Sequence, residues 1–519
     1  MICISIATYH ARIFFSFEPI TLACYLLVAA LHLVCGVSID HCSFVLGALR
    51  LIIDTALQTV QHSSATSITG DIPSDVRTVI DILDVTPKGE AYVCCPKCFF
   101  LYWVDPNNPK SCYPETCTNK DVGDNNPCGA KLQKKRRHRA GYVKLPAREF
   151  CYQSMQAWVG RLYARSDLHD YLDRNPCNID SDDCDADTWD IWDAPGLRDF
   201  LGPDQTRPFI PGPGHEGRLV FSLNMDGFNP YGNKEAGKKV SAGGIYMICL
   251  NLPPSIRYDV ENMYLVGVIP GPQEPSHHEI NYLLQPLVDD LLLFWKHGIY
   301  YTKTCRYPRG LLVRCAVVPL VCDLPAARQM SGFAHFMSTH FCSLCHQKRD
   351  DINNLDYKQW KARTSHEHRQ AARGWRDAST QAAREQWYTT YGVRWSELLR
   401  LPYWDPTSFT VIDSMHAFYL RLFQRHCRSI WGMDIDFQDG DGITFDRKPN
   451  APTEVEMINA NLLLERGTQV ELRQLRYAII QQVCKDVSVD WRGRKGLLID
   501  RLLEYVRFLS DLCYICLLG

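Results

Sequence analysis

The chain has 519 residues, which is enough for about two to four domains with a sizeable core. A hydrophobic content of 46% and a charged content of 22% are typical of an ordinary globular protein. The formal net charge of -2 excludes a uniformly basic nucleic-acid coat, so any DNA binding must rely on local basic patches.

The N-terminal region, residues 1–90, is apolar and its pattern predicts helices. Residues 20–36 form the candidate membrane segment, but this run of about 17 residues is at the short limit for a span and contains His32. A second amphipathic stretch, residues 42–53, follows directly. Together they favour a buried helical hairpin, with a membrane helix or signal anchor as the alternative.

Residues 91–150 form a cysteine-rich module. The 23 cysteines of the chain are clustered, and their short spacings favour thiols and metal sites in a reducing compartment over disulfides. Four thiolates can hold Zn2+ tetrahedrally and fix a segment with too little apolar area to fold alone. The alternative is a set of buried free cysteines. The predicted zinc ligands are Cys95, Cys98, Cys117 and Cys128, with Cys94 and Cys112 as substitutes.

A basic run, KLQKKRRHR, covers residues 131–139 within this module and carries six Lys or Arg side chains. Such a run can contact phosphates, serve as a nuclear import signal, or form a solvated linker. The candidate DNA-binding residues here are Lys134, Lys135, Arg136, Arg137 and Arg139.

Residues 151–216 read as a helix followed by a linker. An amphipathic helix is predicted over 150–173, and an acidic segment over 180–190 reads as a solvated loop. Pro and Gly residues over 203–217 mark a domain boundary.

The next region, residues 217–430, has the most regular pattern. Strands are predicted over 218–226, 243–253, 262–271 and 311–323, with one helix from about 279 to 297 and another beginning at Pro325. The order strand, strand, strand, helix, strand, helix is that of a ribonuclease-H-like mixed sheet. The predicted fold class is therefore α/β plus α, with this sheet as the core and helical regions around it.

Two aspartates end apolar, β-rich runs in this region: Asp226 and Asp323. Carboxylates held at the C-terminal ends of neighbouring strands can share two divalent ions, which activate an attacking oxygen and stabilise a leaving one. The alternative is that Asp226 caps a turn and Asp323 caps a helix.

A helical insertion is predicted over 342–408, followed by a fifth strand over 408–413. Asp413 and His416 then begin a helix, which places both side chains on one face. A second structural zinc held by Cys342, Cys345 and His416 is predicted, with Asp413 orienting the histidine. The alternative is that Asp413 caps the helix and His416 is a core histidine.

The C-terminal region, residues 431–519, is predicted to be helical. Residues 472–506 read as helix, extended turn and helix, and resemble a SAP-type DNA-binding module. The basic residues at the start of its second helix are Arg492, Arg494 and Lys495.

Several motifs together resemble those of the CACTA (En/Spm-like) DDE transposases, especially the form found in mushroom-forming fungi. They are NMDGFNPYGNK, CDLPA, HFCSLC and DSMH, with CCPKCFFLY and YPETC upstream and RWSELLRLPYWDPTSF downstream. The resemblance covers roughly residues 30–450. It implies a ribonuclease-H-fold core that cuts and rejoins transposon ends using Mg2+ or Mn2+.

Carried over to this chain, the resemblance makes Asp226 the first metal-binding acid and Asp323 the second. The family's third acid is a glutamate on a late helix, and Glu465 is the fallback choice. The other candidates are Glu454, Glu456, Glu471 and Glu504. If none serves, the expectation is a truncated, inactive relic that still binds DNA or protein through its zinc modules.

The resemblance also implies partners and a location. DNA, as transposon ends and target, is the expected partner, with no small-molecule substrate. Joining paired ends implies at least a homodimer, and the expected location is the nucleus.

Overall fold

The computed structural model describes residues 2–4, 17–59, 71–83, 85, 89–104, 113–138, 141–173, 190–214, 216–228, 241–431, 452–466, 469–487 and 489–518. The chain forms two compact units, Met1–Cys427 and Arg428–Gly519.

The first unit is built on one large mixed sheet. The strands of this unit are β1 (Ile2–Ile4), β2 (Gly89–Cys94), β3 (Leu101–Trp103), β4 (Gln133–His138), β5 (Gly141–Pro146), β6 (Glu149–Gln153), β7 (Glu216–Phe228), β8 (Ala242–Cys249), β9 (Met263–Ile269), β10 (Ile299–Tyr301), β11 (Leu311–Cys322) and β12 (Thr410–Ile412). All of them except β4 and β5, which pair only with each other, belong to the large sheet. Its α-helices are α1 (Pro19–Leu33), α2 (Ile39–Thr59), α3 (Val76–Ile82), α4 (Met155–Ala164), α5 (His169–Asp173), α6 (Pro195–Arg198), α7 (Ile280–Lys296), α8 (Leu324–Ser331), α9 (Ser365–Asp377), α10 (Gln381–Tyr391) and α11 (Pro406–Phe409). A π-helical segment, Met415–Phe423, follows β12.

The centre of the sheet has the strand order β9-β8-β7-β11-β12. β7, β8 and β9 form an antiparallel meander. β11 then pairs in parallel with β7, and β12 in parallel with the C-terminal end of β11. The short β10, which the sequence did not predict, pairs with the N-terminal end of β11.

Apolar side chains explain why β7 and β11 are central. Both strands are buried over most of their length, as expected for strands covered on both faces. Helix α7 packs its leucines into the same core, and Leu283, Leu287 and Leu291 are fully buried. The predicted strands and helices of this region are thus observed, with their ends shifted by a few residues.

Two predictions at the edges of the sheet need correction. Residues 2–4, in the predicted helical region, form strand β1, which pairs in parallel with β10. The predicted fifth strand is shortened to Thr410–Ile412, because Pro406 and the capping side chain of Asp405 begin the short helix α11 first.

Helices α1, α2 and α3 share a small core of their own, which includes Tyr25, Val28, Leu46 and Val79. The predicted helical pair is therefore observed, but most of α2 is exposed rather than buried as expected. By length and composition alone, Ile39–Thr59 could cross a membrane, and 11% of the apolar window in it is buried.

The cysteine-rich module is joined to the main sheet. β6 pairs with β2 along its length and meets β9 at Tyr152 and Gly267. A Cβ at Gly267 would lie 2.7 Å from the ring of Phe150, so the absence of a side chain permits this close approach. The sheet therefore extends from the core into the module.

The buried carboxylate of Asp290, on α7, ties the same strand to the helical layer. It accepts hydrogen bonds from the Tyr152 hydroxyl at 2.7 Å, the Met155 amide at 3.1 Å and the Gln156 amide at 2.7 Å. Burial raises the pKa of Asp290, and the three donors oppose that rise. Asp290 therefore links α7 to β6 and α4.

The second unit is helical, with a core that includes Ile480, Cys484, Leu498 and Leu502. Its helices are α12 (Glu454–Arg466), α13 (Gln469–Gln474), α14 (Tyr477–Asp486) and α15 (Lys495–Leu518).

Asp290→Ala is expected to lower the free energy of unfolding by about 2–4 kcal/mol, because three buried donors lose their acceptor. The neighbouring Asp289→Ala is the matched control: its side chain is 52% exposed and pairs with Arg400, so a loss below about 1 kcal/mol is expected. Urea unfolding followed by tryptophan fluorescence measures both. Equal losses in the two variants would contradict the assigned role of Asp290.

A buried histidine in the insertion predicts acid sensitivity. His368 on α9 is 2% exposed, lies 4.5 Å from the ring of Phe333, and burial lowers its pKa to about 3. Because an unfolded histidine has a pKa of about 6.5, the stability held by neutral His368 is complete above that pH and falls as the pH drops toward 3.

Between pH 6.5 and 5 this histidine alone should cost about 1.6 kcal/mol of stability. His368→Phe should remove that share of the pH dependence, whereas His366→Phe, at an exposed position on the same helix, should not. Urea unfolding at both pH values tests this, and an unchanged pH dependence in His368→Phe would refute it.

Candidate metal centres

Three parallel strands end at one edge of the sheet, and each carries an aspartate near its C-terminal end or directly after it. Leu223 of β7 pairs with Leu320 of β11, and Asp226 and Asp323 each lie three residues further along. Cys322 pairs with Ile412 of β12, and Asp413 is the next residue. The fold therefore sets Asp226, Asp323 and Asp413 side by side. We call this the acidic edge.

Asp226 is the most open of the three. β7 is buried up to Met225, and Asp226 is the first exposed residue of the strand. Within the described part of the chain, no hydrogen bond or ion pair engages its carboxylate. It is therefore free to take a cation or a substrate group.

Asp323 has a structural role as well. Its Oδ1 accepts a hydrogen bond of 2.8 Å from the amide of Ala326 and so caps α8. The helix-capping alternative is therefore observed, but it uses only one carboxylate oxygen. Among the described residues, Oδ2 has no hydrogen-bond partner, so capping and metal binding are compatible.

A cavity of about 230 Å³ lies at the acidic edge and is lined by Asp226, Asp323 and Glu274. The loop that carries Glu274 is fixed by a hydrogen bond of 2.8 Å from Gln329 Nε2 of α8 to the carbonyl of Pro275. Sequence reasoning missed Glu274. A loop acid after a strand gives no signal until the loop is seen to fold over the strand ends.

The acids also act together electrostatically. The thiol of Cys322 is buried, and burial raises its pKa to about 12, with further increases from Asp323, Asp226 and Asp413. Burial raises the pKa of Tyr246 as well, and Asp226 adds to it. All three carboxylates thus raise the pKa of one buried thiol. Hard divalent cations such as Mg2+ and Mn2+ prefer carboxylate oxygens, so this donor set fits them.

Asp413 and His416 contact each other directly. His416 Nδ1 lies 2.5 Å from Asp413 Oδ2, and the Met415 amide donates to Asp413 Oδ1 at 2.9 Å. Asp413 therefore both caps the start of this helical segment and orients the histidine, as the sequence suggested. The sequence did not suggest that β12 places Asp413 beside Asp323.

The predicted second zinc site does not appear as a ligand cluster in the described part of the chain. Among the described residues, Cys342, Cys345 and His416 do not form a group of ligand atoms close enough to share an ion. The carbonyls of both cysteines instead accept hydrogen bonds from the buried guanidinium of Arg363. That arginine, in the predicted basic insertion, is therefore structural.

The candidate third acids lie in the second unit. Glu465 is on α12, and its side chain lies outside the described residues. Glu456, on the same helix, pairs with Arg476 at 2.6 Å. The assignment of Glu465 remains a prediction.

The four cysteines predicted to bind zinc do come together. One sulfur atom from each of Cys95, Cys98, Cys117 and Cys128 lies within 4.8 Å of the others. Cys95 and Cys128 are 3.7 Å apart, and Cys98 and Cys117 are 3.6 Å apart. Tetrahedral zinc with bonds of about 2.3 Å separates its sulfurs by about 3.8 Å, so the cluster has the right size.

The backbone around the cluster is shaped to present these sulfurs. The amides of Lys97 and Cys98 donate to Cys95 Sγ at 3.4 and 3.5 Å. Gly129, directly after Cys128, has a φ of +67°, a conformation that favours glycine. A hydrogen bond between the thiols of Cys95 and Cys98 lowers the pKa of Cys95 and raises the pKa of Cys98.

Cys94, one of the two substitute ligands, is not part of the cluster. The thiol of Cys94 is buried in the main core, and burial raises its pKa to about 12. Cys112 lies outside the described residues. The alternation of side chains along β2 explains why Cys95 rather than Cys94 joins the cluster, because consecutive residues of a strand face opposite sides.

The basic run forms a strand rather than a solvated linker. Lys134, Lys135, Arg136 and Arg137 lie on β4, which pairs with β5. Arg139 falls outside the described residues. In the second unit, Arg492 and Arg494 are exposed, whereas Lys495 donates to the carbonyl of Arg473 at 2.7 Å.

The purified chain is expected to contain one zinc ion at the four-cysteine cluster, and Cys117→Ser should lose it because Cys117 is buried and supplies one of four ligands. The exposed Cys151 on β6 provides the control, Cys151→Ser, which should retain zinc. Metal analysis by mass spectrometry, with thermal unfolding before and after chelation, measures the effect. Full zinc content in Cys117→Ser would show that the cluster is not the site.

Comparison with known protein families bears on the acidic edge. Residues 213–380 match the sequence model of the transposase family tnp2. The matched segment contains Asp226, Glu274 and Asp323 and runs from β7 to the start of α10. No curated protein matches the chain. The segment that builds the centre of the sheet and two aspartates of the acidic edge is therefore similar to a transposase family.

Proposed function

We propose that this protein is a DDE transposase of the CACTA type that cuts and rejoins DNA strands on a ribonuclease-H-like core. The observation that carries the proposal is the acidic edge, where parallel β7, β11 and β12 set Asp226, Asp323 and Asp413 side by side and Asp226 and Asp323 line one cavity. Apart from the short β10, the order of elements along the chain, β7, β8, β9, α7, β11 and α8, is the order expected of that core. The match of residues 213–380 to a transposase family supports the same function.

Asp226 and Asp323 would hold Mg2+ or Mn2+, and Glu274, Asp413 or Glu465 would complete the ligand set. When bound, two such ions activate the attacking oxygen and stabilise the leaving oxygen of a phosphodiester. Asp323 is held in place by the α8 cap, so its free oxygen is already oriented. His416, paired with Asp413, can accept or release a proton close to the edge.

The proposal has consequences for partners and location. DNA, as element ends and target, is the substrate, and joining two ends calls for at least two copies of the chain. The protein would act in the nucleus. Zinc held by the four-cysteine cluster would serve structure, because the cluster offers four protein ligands and no open position.

Nicking of supercoiled plasmid by the purified, zinc-loaded chain with Mn2+ tests the function. Asp226→Asn and Asp323→Asn should each lower the nicking rate at least about a hundredfold, because each removes a charged metal ligand. Asp289→Asn is the matched control and should nick at the wild-type rate, since Asp289 is exposed and on α7.

Glu274→Gln, Asp413→Asn and Glu465→Gln in the same assay identify the remaining ligand, and Mn2+ binding followed by electron paramagnetic resonance gives a readout that needs no turnover. Nicking that survives both Asp226→Asn and Asp323→Asn would refute the proposal. A folded wild-type chain that binds DNA but neither binds Mn2+ nor nicks would favour the inactive relic.

A further inference from the structure

Strands β4 and β5 form a two-stranded antiparallel ribbon that is separate from the main sheet. The pairing runs from Gln133 and Pro146 at the base to His138 and Gly141 near the tip. Lys134 to Arg137 and Gly141 to Lys144 are all exposed, so both faces of the ribbon meet solvent. The ribbon therefore stands clear of the core.

The two faces of the ribbon carry different chemistry. Lys135 pairs with Lys144 and Arg137 with Tyr142, so one face presents three cations and a phenol that is 73% exposed; of the three cations, Lys144 forms an ion pair with Glu115. We call this the cationic face. On the opposite face, Lys134 and Arg136 pair with Leu145 and Val143. No Asp or Glu occurs between residues 131 and 147.

The base of the ribbon is anchored to the four-cysteine cluster. Leu132, directly before β4, is fully buried against Cys95 and Cys117. Its amide donates to the carbonyl of Glu115, and its carbonyl accepts from the amide of Ala147 at the end of β5. The direction of the ribbon is thus fixed by the residues that hold the cluster together.

The cluster is in turn fixed to the core. Asn119 donates to Cys98 Sγ and to the hydroxyl of Tyr282 on α7. Asp121 pairs with Arg384 of α10 at 2.8 Å. The ribbon is therefore a rigid projection of the same unit that carries the acidic edge.

We propose that this ribbon enters the major groove of double-stranded DNA with its cationic face toward the bases. The major groove is about 12 Å wide and admits a two-stranded ribbon, whose strands are about 4.8 Å apart. Lys135 and Arg137 match the charge of the phosphate walls and the acceptor atoms of guanine. The inference rests on the proposed function, because it states how that enzyme would bind its DNA substrate.

The ribbon geometry favours DNA over a nuclear import receptor. A receptor that reads a basic signal takes an extended, unpaired peptide into its groove. Here the backbone of residues 133–138 is already hydrogen-bonded to β5. Its basic side chains also alternate between two faces, so no single line of four cations is available.

Two matched double variants test the proposal, because they remove equal charge from opposite faces. Lys135→Gln with Arg137→Gln should weaken binding of a fluorescein-labelled duplex at least about tenfold at physiological salt. The same variant should lower the slope of log affinity against log salt by about 0.9 for each lost phosphate contact. Lys134→Gln with Arg136→Gln should weaken binding less than about threefold, as expected when only the long-range field changes.

Binding is measured by fluorescence anisotropy without Mg2+ or Mn2+ on the Asp226→Asn background, so a failure of catalysis cannot be mistaken for a failure of the ribbon. Zinc content and thermal unfolding confirm that each variant is folded. Methyl green, which occupies the major groove, should compete with the wild-type chain, and netropsin, which occupies the minor groove, should not.

Equal losses in the two double variants would overturn the proposal, since they would show attraction by net charge alone. Competition by netropsin but not by methyl green would also overturn it. If both variants keep full DNA affinity but lose nuclear accumulation, the run is an import signal and the proposal is wrong.

Discussion

The parallel pairing of β7 with β11 is the constraint on which the rest of the first unit depends. The two strands lie far apart in the sequence, and apolar side chains buried on both faces hold them together. Leu223 opposite Leu320 sets the register. A shift by one residue would turn every side chain of a strand to the other face and would separate Asp226 from Asp323.

Helix α8 depends on that pairing as well. It begins where β11 ends, and the carboxylate of Asp323 caps it. The helix then holds the loop of Glu274 over the strand ends through Gln329. One short segment thus supplies an acid, orients it and closes one side of the cavity. The same residues stabilise the fold and shape the candidate site.

The cysteine cluster bears on the stability of its own segment of the chain. Its segment has a small core of its own around Val93, Cys117 and Leu132, which is little apolar area for a structure with long loops. Four thiols at zinc-binding distance can supply the missing stability. Because β2 and β6 join the module to β9, a stable cluster also holds the edge of the sheet and the basic ribbon in position.

The sequence by itself determined the elements and the chemical character of the site. Alternation and apolar runs predicted the strands β7, β8, β9 and β11, and the positions of Asp226 and Asp323 at the ends of apolar runs indicated a cation site. The cysteine spacings identified Cys95, Cys98, Cys117 and Cys128 among the possible ligands, and the structure brings these four together. These features are local, so a short window of sequence contains them.

Only the tertiary structure decided which distant groups meet. It placed Asp413 beside Asp323 through β12, brought Glu274 over the strand ends, and left His416 with Asp413 rather than with Cys342 and Cys345. It also turned the basic run into a ribbon, because β5 supplies hydrogen bonds that residues 133–138 lack alone. Such contacts depend on register and loop path, which are set by packing over the whole unit rather than by local preference.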